Sequence, residues 1–137
     1  MRVIAPLLER IEILSSLISI CDLSYVLYAK DTTRFSITGI TFFGGGVSMI
    51  GATDSAITDC TFDHSSYPPR ALGSTVQAAP AVSLNGGSGN IVSNSVFQYI
   101  DAIAVELTSE DSTTVENNDF FQIDTNVATE TFKVLHI

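Results

Sequence analysis

Three stretches decide how this chain folds: GVSMIGATDSAITDCTF at residues 46–62, AVSLNGGSGNIVSNSVF at 81–97 and VELTSEDSTTVENNDF at 105–120. Val47, Met49, Ile57, Asp59 and Phe62 stand at offsets 0, 2, 10, 12 and 15. Val82, Leu84, Val92, Asn94 and Phe97 repeat those offsets, as do Val105, Leu107, Val115, Asn117 and Phe120. A weaker copy, Leu27, Ala29, Ile37, Gly39 and Phe42, precedes them. From Phe42 to Phe120 the Phe-to-Phe spacings are 20, 35 and 23 residues. Two of these suit one turn of a coil. The longest is one turn plus an insertion within 63–80, where Tyr67-Pro68-Pro69-Arg70 and Pro80 mark a loop.

Each copy reads the same way. Offsets 0 and 2 put alternate residues of a short strand inward, because side chains alternate faces along a strand. A turn of Gly, Ser, Asp or Thr follows. Then come a second strand opening on Ile or Val, a polar corner, and an inward Phe. No copy can bury its own apolar residues alone, but copies stacked at the strand spacing of about 4.8 Å cover and hydrogen-bond one another. Val47, Val82 and Val105 should then form one column, and Phe42, Phe62, Phe97 and Phe120 an aromatic stack. Asp59, Asn94 and Asn117 should form a corner column in left-handed backbone, where amides can ladder and Asp59 interrupts. The expected fold is all-β, a parallel solenoid of about four coils.

The quoted stretches resemble the parallel β-helix repeats of the pectate-lyase-like superfamily, over residues 27–124. The resemblance implies a right-handed coil. It specifies fold better than function, since its members include polysaccharide lyases, glycoside hydrolases, epimerases, tailspikes and non-catalytic extracellular repeats. In this superfamily the outward residues of the first strand often line a glycan groove. Here those residues are Tyr28, Ser48, Ser83 and Glu106, with Tyr67 from the loop. The paired-Asp signature of polygalacturonases, Gly-His-Gly, Arg-Ile-Lys and the pectate-lyase basic triad do not occur.

Three segments follow: residues 1–26 as an N-terminal cap or degenerate coil, 27–124 as coils carrying the 63–80 loop, and 125–137 as a terminal strand or incomplete coil. Leu7, Ile11, Leu14, Ile18 and Cys21 share one helical face, which favours a capping helix over the open strand edges. Ile11/Ile13 and Ile18/Ile20/Leu23 also fit a degenerate coil. Ile13 to Cys21 has the length of a signal-peptide core, but Glu9 and Glu12 stand where positive charge is required, so no clear signal peptide is read. No apolar run reaches the ~18 residues of a membrane span.

With 137 residues the chain fits one domain, and its 45% hydrophobic content rules out compositional disorder. The net charge of −9 repels phosphate backbones, which argues against a nucleic-acid partner, and favours a neutral over an acidic polysaccharide. Cys21 and Cys60 form no CxxC pair and read as buried free thiols rather than a zinc site.

A glycosidase needs two carboxylates about 5 to 10 Å apart. Glu106 is the only acid in the outward column, with Asp101 just before its strand. His64, beside Asp63 and in the same loop as Arg70, is a candidate general acid or base. Asp54, Glu110 and Asp111 are turn carboxylates of the type that binds calcium, but they are scattered over different coils, so no cofactor is expected. The favoured expectation is an extracellular structural or glycan-binding segment without a complete catalytic site. The alternative is a fragment of a polysaccharide lyase or glycoside hydrolase acting beside loop 63–80. Open coil ends make self-association compatible with either.

Overall fold

An apolar residue that recurs once per coil is buried by its own counterpart in the next coil, and the computed structural model has that arrangement. The structure describes residues 2–4, 12–14, 17–19, 25–65, 79–101, 103–123 and 135–136. The first coil holds β1 (Arg2–Ile4), β2 (Glu12–Leu14) and β3 (Leu17–Ser19). The second holds β4 (Tyr25–Lys30), β5 (Ser36–Thr38) and β6 (Thr41–Phe43), and the third β7 (Gly46–Ile50), β8 (Ala56–Thr58) and β9 (Thr61–Asp63). The fourth holds β10 (Val82–Asn85), β11 (Ile91–Ser93) and β12 (Val96–Ile100), and the fifth β13 (Val105–Thr108), β14 (Thr114–Glu116) and β15 (Asp119–Ile123). A further strand, β16 (Leu135–His136), pairs with β13.

The strands form three parallel sheets. Sheet A runs β1-β4-β7-β10-β13-β16, sheet B β2-β5-β8-β11-β14, and sheet C β3-β6-β9-β12-β15. The four coils read from the repeat are β4 to β15. The described residues of 1–26 are strands rather than the capping helix: Ile13 pairs with Ile37 and Ile18 with Phe42. Sheet pairing overrides the helical periodicity because β5 and β6 offer backbone donors and acceptors that a helix lying on them leaves unpaired. Of the segment 125–137 only Leu135–His136 lies within the described residues, as β16.

The columns follow the repeat. Leu27, Val47, Val82 and Val105 are in register and fully buried, as are Phe42, Phe62 and Phe97. The phenyl rings stack with centroids 4.9 and 4.8 Å apart and planes within 7° and 5°. Phe120 continues the stack at 5.2 Å and is 36% exposed.

Between strands the backbone turns at left-handed corners. Among the described residues, those with positive φ fall into four columns of four: Asp31/Gly51/Gly86/Ser109, Arg34/Asp54/Gly89/Ser112, Gly39/Asp59/Asn94/Asn117 and Gly44/His64/Tyr99/Gln122. In the second to fourth coils their backbone N–H groups donate to carbonyls of the next coil, as from Gly51 to Asn85 (2.8 Å) and Asp54 to Ser88 (2.9 Å). The third column is the corner expected at Asp59, Asn94 and Asn117, and its members are exposed. The amides that reach between coils are instead Asn90 and Asn118. Asn90 Oδ1 accepts from Ser55 N and Asn118 Oδ1 from Ser95 N, while their Nδ2 groups donate to the Ala52 and Val92 carbonyls. Ser55 and Ser95 hydroxyls accept in turn from Phe35 N and Cys60 N. Every buried corner donor named here therefore has a partner. At Gly46 a Cβ would overlap the Ala81 carbonyl oxygen, so only glycine lets the two coils approach there.

Cys60 is a buried free thiol. Burial pushes its pKa up, and backbone hydrogen bonds offset that only in part. Cys21 lies outside the described residues.

Phe62→Ala and Phe97→Ala should each cost about 3–5 kcal/mol. Phe120→Ala should cost distinctly less, because its ring is partly in solvent. Urea unfolding midpoints of the three variants check this ranking.

Candidate functional site

On sheet A, Leu27 and Ala29 point into the core, so the residue between them points out. Register extends that position through the sheet: Tyr28 pairs with Ser48, Ser48 with Ser83, Ser83 with Glu106, and Glu106 with His136. The structure thus brings Tyr28, Ser48, Ser83 and Glu106 into one outward column. Tyr28, Ser83 and Glu106 are half-buried. Ser48 is only 6% exposed although it faces outward.

Tyr25, which sequence reasoning did not single out, also belongs to this face. Its hydroxyl is hydrogen-bonded to the Ser83 side chain two coils on, so its ring spans the coil that carries Ser48. Tyr25 and Tyr28 are three residues apart and would face opposite ways along a regular strand. A register shift between Tyr25 and Leu27, where Tyr25 pairs with Gly46 and Leu27 with Val47, flips that parity and puts both tyrosines outward. The six-residue length of β4 reflects this bulge. Burial pushes the Tyr25 phenol up, the Ser83 hydrogen bond pulls it back in part, and the Glu106 charge pushes it up again.

The remaining candidates lie elsewhere. Asp101 is buried at the corner after β12, its N–H donating to the Ser65 carbonyl at 3.3 Å. His64 follows β9 on sheet C, two coils before Glu106 and on a different sheet. Its Nδ1 donates to the Asp63 carboxylate. The ring sits between Phe43 and Tyr99, with centroids 5.4 and 5.0 Å away, and Phe121 meets Tyr99 edge-on at 5.6 Å. The signal for this run was present: His64 and Tyr99 both stand two residues after a column Phe. Arg70 and Tyr67 lie outside the described residues.

The turn carboxylates are dispersed. Glu110 is engaged in tying coils together: Oε1 accepts from Gly87 N at 2.7 Å, and Oε2 from Asn90 Nδ2 at 2.9 Å and Thr113 Oγ1 at 2.7 Å. Asp54 and Asp111 are exposed at separate corner positions of the third and fifth coils.

The Tyr25 environment makes a signed prediction. Glu106→Gln should let Tyr25 ionise at lower pH, and Ser83→Ala should hold its proton to higher pH. Ultraviolet phenolate titration, with Tyr25→Phe identifying the signal, checks both. Because folding raises this pKa, the unfolded chain loses the proton first. The associated stability is complete below the ordinary phenol pKa of about 10 and is lost as pH rises through the folded value.

No curated protein and no solved structure matches the chain. A family of known sequences does: the right handed beta helix region matches residues 25–132, from β4 to beyond β15. The three parallel sheets, the stacked columns and this match agree, and the chain belongs to the right-handed β-helix family.

Proposed function

We propose that this β-helix is an extracellular glycan-binding segment that holds a neutral saccharide against the outer face of sheet A, without a complete catalytic site. The observation that carries the reading is the outward column Tyr28–Ser48–Ser83–Glu106, with Tyr25 laid across it by the bulge in β4. Two phenol rings offer flat apolar surface with hydroxyl tips, which suits a sugar ring with one apolar face. Ser83 and Glu106 add a donor–acceptor and a charged acceptor beside the rings. The net charge of −9 favours a neutral over a uronate ligand.

One observation favours the enzyme alternative, a polysaccharide lyase or glycoside hydrolase. Glu106 and His136 are neighbours in register on sheet A, so a carboxylate-bearing and an imidazole-bearing residue stand one strand apart.

A glycan array followed by equilibrium binding tests the first reading. Tyr28→Ala and Glu106→Gln should each weaken binding of the selected glycan by about tenfold, the loss of one good contact. Unchanged affinity in both variants would remove the sheet A site. A reducing-sugar and unsaturated-uronate assay on the same glycans decides the alternative: product release abolished by Glu106→Gln would make the chain an enzyme.

A further inference from the structure

Sheet C carries a second surface that neither the core nor the sheet A column uses. Phe43, Tyr99 and Phe121 are 43%, 38% and 53% exposed, and the His64 side chain is 38% exposed. They come from four successive coils and touch in the order Phe43, His64, Tyr99, Phe121, with centroid separations of 5.4, 5.0 and 5.6 Å. The result is one continuous aromatic run along the coil axis. Scattered exposed apolar residues are ordinary on a protein surface, but a contiguous run of rings marks a contact surface.

Backbone geometry adds to this. His64 and Tyr99 both have φ of 54°, in the column where Gly44 also turns left-handed. That conformation is costly for a ring-bearing residue, and burial does not offset the cost because both rings reach solvent. Polar groups flank the rings. Gln98 pairs in register with Asp63 and with Phe121, and Gln122 follows Phe121. The Asp63 carboxylate accepts from His64 Nδ1.

We infer that Phe43, His64, Tyr99 and Phe121 form a stacking platform for a neutral glycan chain lying along the coil axis, a second site separate from the sheet A face. Rings take up the C–H faces of successive sugars, and Gln98, Gln122 and Asp63 offer partners to their hydroxyls. One coil advances by about the strand spacing of 4.8 Å, close to the length of one pyranose unit, so the rings recur in step with the sugars. The chain's net charge of −9 opposes uronate polymers and nucleic acids on the same surface. The inference extends the glycan-binding reading to another face and rests on that reading for the ligand class.

The test is site-resolved. Hydroxyl-radical footprinting by mass spectrometry is run with cellohexaose, xylohexaose and mannohexaose, with polygalacturonate as the anionic control. Expected are protection of Phe43, Tyr99 and Phe121 by at least one neutral hexaose, and none by polygalacturonate. Tyr99→Ala and Phe121→Ala should each weaken that hexaose by about tenfold, and Tyr99→Phe should retain it. Circular dichroism verifies that each variant keeps the fold. Protection confined to Tyr25 and Tyr28 would overturn the platform and leave the sheet A site standing. Protection at neither face by any hexaose would overturn both. Protection of the run that rises with protein concentration in the absence of glycan would make it a contact between copies of this chain, and overturn the proposal.

Discussion

Everything in this molecule depends on the left-handed corners. A chain that stacks on itself in parallel must turn repeatedly within each coil, and every turn interrupts the strand pairing that its backbone groups would otherwise make. The four corner columns solve this by pointing their N–H groups at carbonyls of the next coil. Left-handed backbone is what aims those donors along the axis, and it is tolerated best by glycine and short polar side chains. Position by position, that requirement selects Gly, Asn, Asp and Ser at most of the corners. The in-register columns of valine and phenylalanine are consequences: once the corners agree from coil to coil, equivalent side chains lie one strand spacing apart and bury each other.

Beside the corners, Ser55, Asn90, Ser95 and Asn118 finish the accounting. Each reaches the backbone of the neighbouring coil with an oxygen that accepts an N–H, and the two amides donate as well. Glu110 on the fifth coil does the same with Oε1, which accepts from Gly87 N, while its Oε2 accepts from the Asn90 side chain of the neighbouring coil. Polar groups placed this way rigidify the coil without occupying its outer faces. Those faces are free to vary, and the insertion after Ser65 leaves from a corner without disturbing the register of β9 with β12.

Much of the fold was legible in a single sequence, for a physical reason. A repeat writes the same packing problem several times, so offsets 0, 2, 10, 12 and 15 act as their own alignment. The outward column Tyr28, Ser48, Ser83 and Glu106 follows from the same arithmetic, since inward and outward residues alternate. The described N-terminal residues form a coil and not the favoured capping helix; their apolar spacing fits both, and only the presence of β5 and β6 decides between them. The aromatic run on sheet C went unread because its members come from two adjacent columns, so no single offset contains it.

What the amino-acid order determined on its own was which residues repeat, and with them the coil, its corner residues and its core columns. These are local matters of spacing and conformational tolerance. Tertiary structure decided what no spacing encodes. The bulge in β4 reverses the side of Tyr25 and brings it to Ser83, and the coil geometry lets His64 sit between rings of the coils on either side. Both depend on atoms 20 or more residues apart in the chain meeting across a strand spacing, which exists only once the coils have stacked.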